Sequence, residues 1–146
     1  MNRAINENES GLPDTAGDHF VIEIVDKPIS PEEIVRKVKT DDSGCVATYV
    51  GLIRDNSHGK AVRSVEYRDP AKTARDRLLK IAREVKAKWP VNNVAIVHRI
   101  GVLKVGEINL VAAVAAGHRQ EGFAACAYIV DRFKSDLPTE KIETYL

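Results

Sequence analysis

The chain has 146 residues, 44% hydrophobic and 29% charged, enough for one domain with a substantial core. Its formal net charge of +1 at pH 7 provides none of the basic excess that holds nucleic acid, so no nucleic-acid partner is expected. No apolar run approaches the length of a membrane span, and "MNRAINENES" lacks the apolar stretch of a signal peptide; no membrane partner is expected, and the cytoplasm is the default location.

Residues 1–18 are polar, rich in turn formers and without periodicity, which predicts a flexible tail ahead of a single domain over 19–146. "HFVIEIV" supplies a first strand, with Phe20, Ile22 and Ile24 on one face. In "SPEE", Ser30 as N-cap, Pro31 at the first helical position and Glu33 two residues on form a capping box, and a short helix to about Lys39 follows. "CVATYVGLI" reads as a strand ending at Arg54, "RDNSHGK" as a loop, and "AVRSVEY" as another strand. From Pro70 to Trp89, Ala71, Ala74, Leu78, Ala82, Val85 and Trp89 recur at helical spacing until Pro90 stops the helix.

"NVAIVHRIGVLKVGEINLVAAVAA" predicts a strand, a tight connection broken by Gly101 and Gly106, and a strand, paired as a hairpin. A last long helix runs from about His118 to Ser135, with Phe123, Ala127, Val130 and Phe133 near one face, and Pro138 leaves a short tail, "TEKIETYL". Two long helices and about five hairpin-like strands predict an α+β fold with an antiparallel-rich sheet. No nucleotide-cradling glycine motif, HExxH or cysteine cluster appears, so neither a Rossmann or P-loop nucleotide site nor a metal is expected. Cys45 and Cys126 lie far apart without CxxC spacing and read as buried free thiols.

The candidate chemistry lies in Arg54, His118, Arg119, Lys134 and Lys141. His118 and Arg119 add positive charge at a helix start, where the macrodipole is already positive; an anion docking there explains them, and two solvated side chains are the alternative. Arg54 closes a strand before a loop, where it either faces a ligand or caps a strand edge. Lys134 and Lys141 flank Pro138. If the turn folds back, both ammonium groups reach one pocket suited to an anionic substrate, as general acid/base or acyl acceptor; otherwise they are a dipole-favoured helix end and a solvated tail charge.

The series "VHRIGVLKVGE" followed by "HRQEGFAAC", with "YVGLIRDNSHGKAV" before it and "FKSDLPTEKIE" after it, resembles the catalytic (large) subunit family of molybdopterin synthase, MoaE-like, over roughly residues 40–143. The resemblance implies an α/β hammerhead-type fold and a sulfurtransferase needing no cofactor of its own. It also implies a homodimer that binds a ubiquitin-like small sulfur-carrier subunit at each end, giving a heterotetramer. The carrier's C-terminal Gly-Gly thiocarboxylate supplies sulfur to cyclic pyranopterin monophosphate, forming the molybdopterin dithiolene of molybdenum cofactor biosynthesis.

Matched by motif position, Lys134 and Lys141 are the implied catalytic residues. Arg54, His118 and Arg119 form the implied substrate-anion site, partly across the dimer. The chain departs from the family pattern at Thr139-Glu140, where an aromatic pair is usual, and Glu140 is expected to offset the charge of Lys141. Tyr49 stands where Phe is frequent. A non-catalytic paralogue that binds a carrier or a pterin phosphate is the alternative.

Overall fold

The computed structural model describes residues 19–146, and the tail expected over 1–18 lies outside them. Its elements are β1 (Val21–Val25), α1 (Pro31–Val38), β2 (Cys45–Leu52), β3 (Asn56–Ser57), β4 (Lys60–Arg68), α2 (Ala74–Lys88), β5 (Val91–Arg99), β6 (Gly101–Lys104), β7 (Ile108–Ala116), α3 (Arg119–Ser135) and β8 (Glu140–Tyr145). The larger sheet has the order β1-β5-β7-β2, with β1 parallel to β5 and the other neighbours antiparallel. In the smaller sheet β4 pairs with β3, β6 and β8, all antiparallel. The fold is therefore α+β and rich in antiparallel pairing.

Alternation along β5 and β7 explains why both strands read as almost unbroken apolar runs. Val94 and Ile96 with Leu110, Ala112 and Val114 pack under α2 and α3, against Leu78, Ala82, Ala125 and Ile129. The intervening Ala95, Val97, Val111 and Ala113 meet Ile34 and Val38 of α1 on the opposite face. A sheet covered on both faces has no solvent side to require polar residues. A third core, Ile53, Val62, Val65, Tyr67 and Leu103, lies under the smaller sheet.

Several elements differ from the sequence expectation for identifiable reasons. Helix α1 starts as predicted, with Ser30 accepting the Glu33 N–H at 3.3 Å. Helix α2 begins at Ala74 rather than near Pro70, because Asp69 Oδ1 accepts the N–H groups of Thr73 and Ala74 and makes the preceding residues a turn. On α3 the buried residues are Gly122, Ala125, Cys126, Ile129 and Phe133, whereas Phe123 is 64% exposed. Strands β5 and β7 do pair, but the connection between them is itself a strand, β6, that joins β4 in the other sheet. Gly101 (φ +100°) and Gly106 (φ +87°) supply the left-handed backbone at its two ends. The tail after Pro138 is β8, whose mostly exposed residues give no apolar alternation to read. Both cysteines are free; Cys126 is buried, its thiol pushed up to about 11 by desolvation, but Cys45 is only half-buried.

Helices α2 and α3 are tied by Glu84, which accepts from Tyr128 Oη at 2.7 Å and Arg132 Nε at 3.0 Å. Where the sheets meet, His98 is fully buried between the edges of Tyr67 and Phe133, each ring centroid 4.9 Å away. The Asn109 carbonyl, 2.8 Å from Nδ1, can only accept, so Nδ1 carries the proton. In the neutral ring Nε2 then accepts from the Thr139 hydroxyl at 2.9 Å.

Burial holds the His98 pKa below its ordinary 6.5, the Asn109 carbonyl opposing only in part. As pH falls below 6.5, the unfolded chain takes up a proton that the native ring refuses, so stability falls with pH in that window. The urea midpoint is expected to drop between about pH 7.5 and 5.5, and His98→Gln to flatten that slope. An unchanged slope in the variant contradicts the assignment. Glu84, held below 4.5 by Arg132 and Tyr128, and Glu107, held below 4.5 by the Lys104 N–H and Arg99, add a second loss as pH falls further.

Candidate active site

Between the two sheets lies a cleft of about 730 Å³. Its floor is apolar, from Ile53, Val62 and Val65, and its rim carries Arg54, Lys134 and Lys141. An apolar floor joined to a few converging charged and polar groups is a usual form of a small-molecule site.

Each cation arrives on a different element. Arg54 follows β2, and its neighbour Ile53 is clamped by backbone bonds on both sides: its N–H donates to Glu107 O at 3.0 Å and its carbonyl accepts from Gly106 N–H at 2.8 Å. Glu107 in turn accepts from Lys104 N–H at 2.8 Å and Arg99 Nη1 at 2.7 Å. The segment from Arg99 to Glu107 thus shapes a turn whose product is the placement of Arg54. Gly51 belongs to the same wall: a Cβ there would lie 2.6 Å from Asn109 Oδ1 and 3.1 Å from the Tyr49 ring, so only glycine admits both neighbours.

Lys134 lies in the last turn of α3, its Nζ 5.9 Å from the centre of the Tyr49 ring. The chain then folds back, and Lys141 enters on β8 directly opposite Tyr67 of β4. The predicted convergence of the two lysines on one pocket is what the fold delivers.

Strand alternation decides the effect of Glu140. Lys141 and Glu143 share the cleft face of β8, whereas Glu140 pairs in register with Arg68, outside the cleft lining. The carboxylate on the lysine's own face is Glu143, not the expected Glu140.

His118 and Arg119 do not reach this cleft within the chain. They sit at the start of α3, both exposed, fifteen helical residues from Lys134 and so about 22 Å away. His118 Nδ1 is 3.8 Å from Glu121, and its side chain is 87% exposed. Tyr67, Asn109 and Glu143 also line the cleft and carry no motif signal in the sequence, although Tyr67 lies on an expected strand. Asn109 Nδ2 donates to Tyr67 Oη at 2.9 Å, and both residues line the cleft. Burial raises the Tyr67 pKa, against the bond from Asn109, so the phenol stays protonated. Among the described residues, no group of three or more His, Cys, Asp or Glu side chains is placed to hold a metal, and no helix is long and apolar enough to cross a membrane.

Residues 24–136 match the family described as MoaE protein. The molybdopterin synthase catalytic subunit of Bacillus subtilis is 36% identical over 123 residues, covering 84% of this chain and 78% of the relative. The crystal structure of molybdopterin synthase from Staphylococcus aureus has a TM-score of 0.80 at 31% identity and covers 86% of this chain and 91% of that one. A Helicobacter pylori chain from a complex of subunits 1 and 2 of molybdopterin-converting factor shares the fold, with a TM-score of 0.66 at 13% identity over 85% of this chain and 87% of that one. The family match over most of the folded chain, supported by relatives at this identity, means that the chain belongs to the MoaE family, the catalytic subunits of molybdopterin synthase, sulfurtransferases of molybdenum cofactor biosynthesis.

Proposed function

We propose that the cleft between the sheets receives two anions together: the C-terminal Gly-Gly thiocarboxylate of a ubiquitin-like small sulfur-carrier subunit, and cyclic pyranopterin monophosphate. The observation that carries this reading is the meeting of Arg54, Lys134 and Lys141 on one cleft. Arg54 suits bidentate contact with the phosphate. Lys134, beside the Tyr49 ring, is nearest the sulfur transfer, as proton donor and acceptor or as transient acyl acceptor. Lys141 stabilises charge on carboxylate and phosphate. In each transfer the carrier's acyl C–S bond breaks, sulfur takes the place of an oxygen on the pterin side chain, and the carrier leaves as a carboxylate; two transfers give the dithiolene.

His118 and Arg119 complete the anion site of a second copy of the chain in a homodimer. Their distance from the cleft of their own chain and their exposure beside Phe123 support that assignment. The complex in which the Helicobacter pylori chain was solved supports a small-subunit partner.

The test is a reaction of this chain with a thiocarboxylated carrier and cyclic pyranopterin monophosphate, with molybdopterin read as its fluorescent oxidation product. Product is expected, and a stable carrier complex without product would favour a non-catalytic paralogue. Lys134→Ala is expected to abolish product with the melting midpoint nearly unchanged, because an exposed lysine contributes little to stability. Arg119→Ala is expected chiefly to raise KM. If Arg119 serves the partner's cleft, then at a pterin concentration far below the raised KM, where the Arg119→Ala chain alone is nearly silent, mixing it with the Lys134→Ala chain restores about a quarter of wild-type activity, since half the dimers are mixed and each holds one intact site. No recovery on mixing overturns the shared site. Glu140→Gln is expected to leave turnover within about twofold of wild type, as a surface substitution outside the cleft; a larger change means that Glu140 does act on Lys141.

A further inference from the structure

The two cleft lysines stand on opposite sides of a turn, and a single buried side chain touches both sides. The edge of His98 packs against Phe133, the residue before Lys134 on α3. Its Nε2 accepts from the hydroxyl of Thr139, two residues before Lys141. Its Nδ1 donates to the carbonyl of Asn109, whose side-chain amide donates to Tyr67 Oη. Tyr67 is the register partner of Lys141 across β4 and β8. The contacts therefore form a closed path: His98 to Thr139, along β8 to Lys141, across to Tyr67, and back through Asn109 to His98.

Thr139 is the weak point of that path. The turn from Asp136 to Thr139 is held at its start by Asp136 N–H donating to Arg132 O at 3.1 Å, and by Arg77 Nη2 on Asp136 Oδ1 at 2.6 Å. Leu137 packs half-buried on the cores and Pro138 has no N–H to give. At the far end the side-chain anchor is the Thr139 hydroxyl, 8% exposed, on a ring that is itself fully buried. From Thr139 to Lys141 is about 7 Å of extended chain, too short to absorb a shift at the anchor.

We propose that Thr139 is a positioning residue for the transfer reaction, its hydroxyl bond to His98 setting where Lys141 stands relative to Lys134. This rests on the proposed function of the cleft. Thr139 and His98 both lie outside the cleft lining, so the bond acts through the lysine that follows it. His98 is the fixed post: wedged between two rings and bonded at both nitrogens, it has one orientation available. A displacement of a reacting group by about 1 Å lowers turnover as much as 100-fold without a matching loss of binding.

The variants are Thr139→Val, which keeps the branched shape and removes the donor, and Thr139→Ser, which keeps the donor. With the carrier and the pterin present, Thr139→Val is expected to lower kcat roughly 10- to 100-fold while KM for the pterin stays within about twofold. Thr139→Ser is expected to restore kcat to within about threefold of wild type. Two further measurements need no substrate. In wild type, the nitrogen-15 spectrum of His98 is expected to show a protonated Nδ1 and an Nε2 that accepts a hydrogen bond. In Thr139→Val, the rate at which Lys141 is acetylated by a small reagent, read by mass spectrometry, is expected to change, and that of Lys80 on α2 to stay constant.

Full kcat in Thr139→Val, or equal losses in the Val and Ser variants, overturns the proposal. So does a wild-type Nε2 that makes no hydrogen bond, which also decides the matter if Thr139→Val does not fold. A wild-type chain that makes no product speaks against the functional reading alone. The imidazole spectrum and the Lys141 labelling then still decide whether Thr139 positions the lysine.

Discussion

The antiparallel pairing of β5 and β7, with helices against both faces, is the constraint on which the other elements depend. Small side chains make it possible: Ala112, Ala113, Ala115 and Ala116 on β7 are all fully buried. They let α3 approach closely enough on one side for Gly122 to lie against Ala47 and Ala116, where an added Cβ would be in ordinary contact at 3.5 and 3.6 Å. With both faces filled, neither strand can slip by one residue without driving half of each core into the other. The pairing thereby fixes the start of β6, the direction of α3 and the site of the turn after it. Those are the elements that carry the cleft.

The sequence pattern most diagnostic of the family contributes little chemistry directly. Of the run from His98 to Glu107, no side chain lines the cleft. His98 and Arg99 point to opposite sides of their strand, the first into the core and the second to Glu107. Gly101 and Gly106 let the chain leave one sheet, pair briefly in the other and return. The result is a rigid turn that clamps Ile53, and with it the base of Arg54. A motif can thus identify a function by building the frame of the site, while the reacting groups come from elsewhere in the chain.

What was readable in the sequence follows the same division. Long apolar periodicities located α2, α3, β5 and β7, and the capping box located α1, because each is a local signal with a local cause. Helix α2 starts later than its apolar spacing predicts, because the Asp69 carboxylate holds the N–H groups of Thr73 and Ala74 and the residues from Pro70 form a turn. Strands β3, β6 and β8 escaped because they are short or exposed, and their pairing is decided by residues far away: Lys141 meets Tyr67, and Lys104 meets Ser64. The candidate cations were nameable by motif, yet which of them share a cleft depended on the turn at Pro138 and on strand alternation. Thr139 looked only like a departure from the family pattern. Its bond to a histidine forty-one positions earlier is a long-range fact that no local spacing announces.

Helix α3 carries cations at both ends, and the two ends are not equivalent. At its C-terminus Lys134 lies where the macrodipole is negative, so the placement is favourable before any ligand arrives. At its N-terminus His118 supplies no side-chain cap, and Arg119 adds charge where the dipole is positive. Glu121 compensates only in part, with 3.8 Å between the carboxylate and His118. A pair that opposes its own helix, stands in solvent and lies far from its own cleft gains nothing from the isolated chain. In the proposed homodimer, the energetic reason for it comes from outside, from an anion held in common with another copy. Net charge does not reveal this, since a chain at +1 can still concentrate its positive groups wherever anions meet.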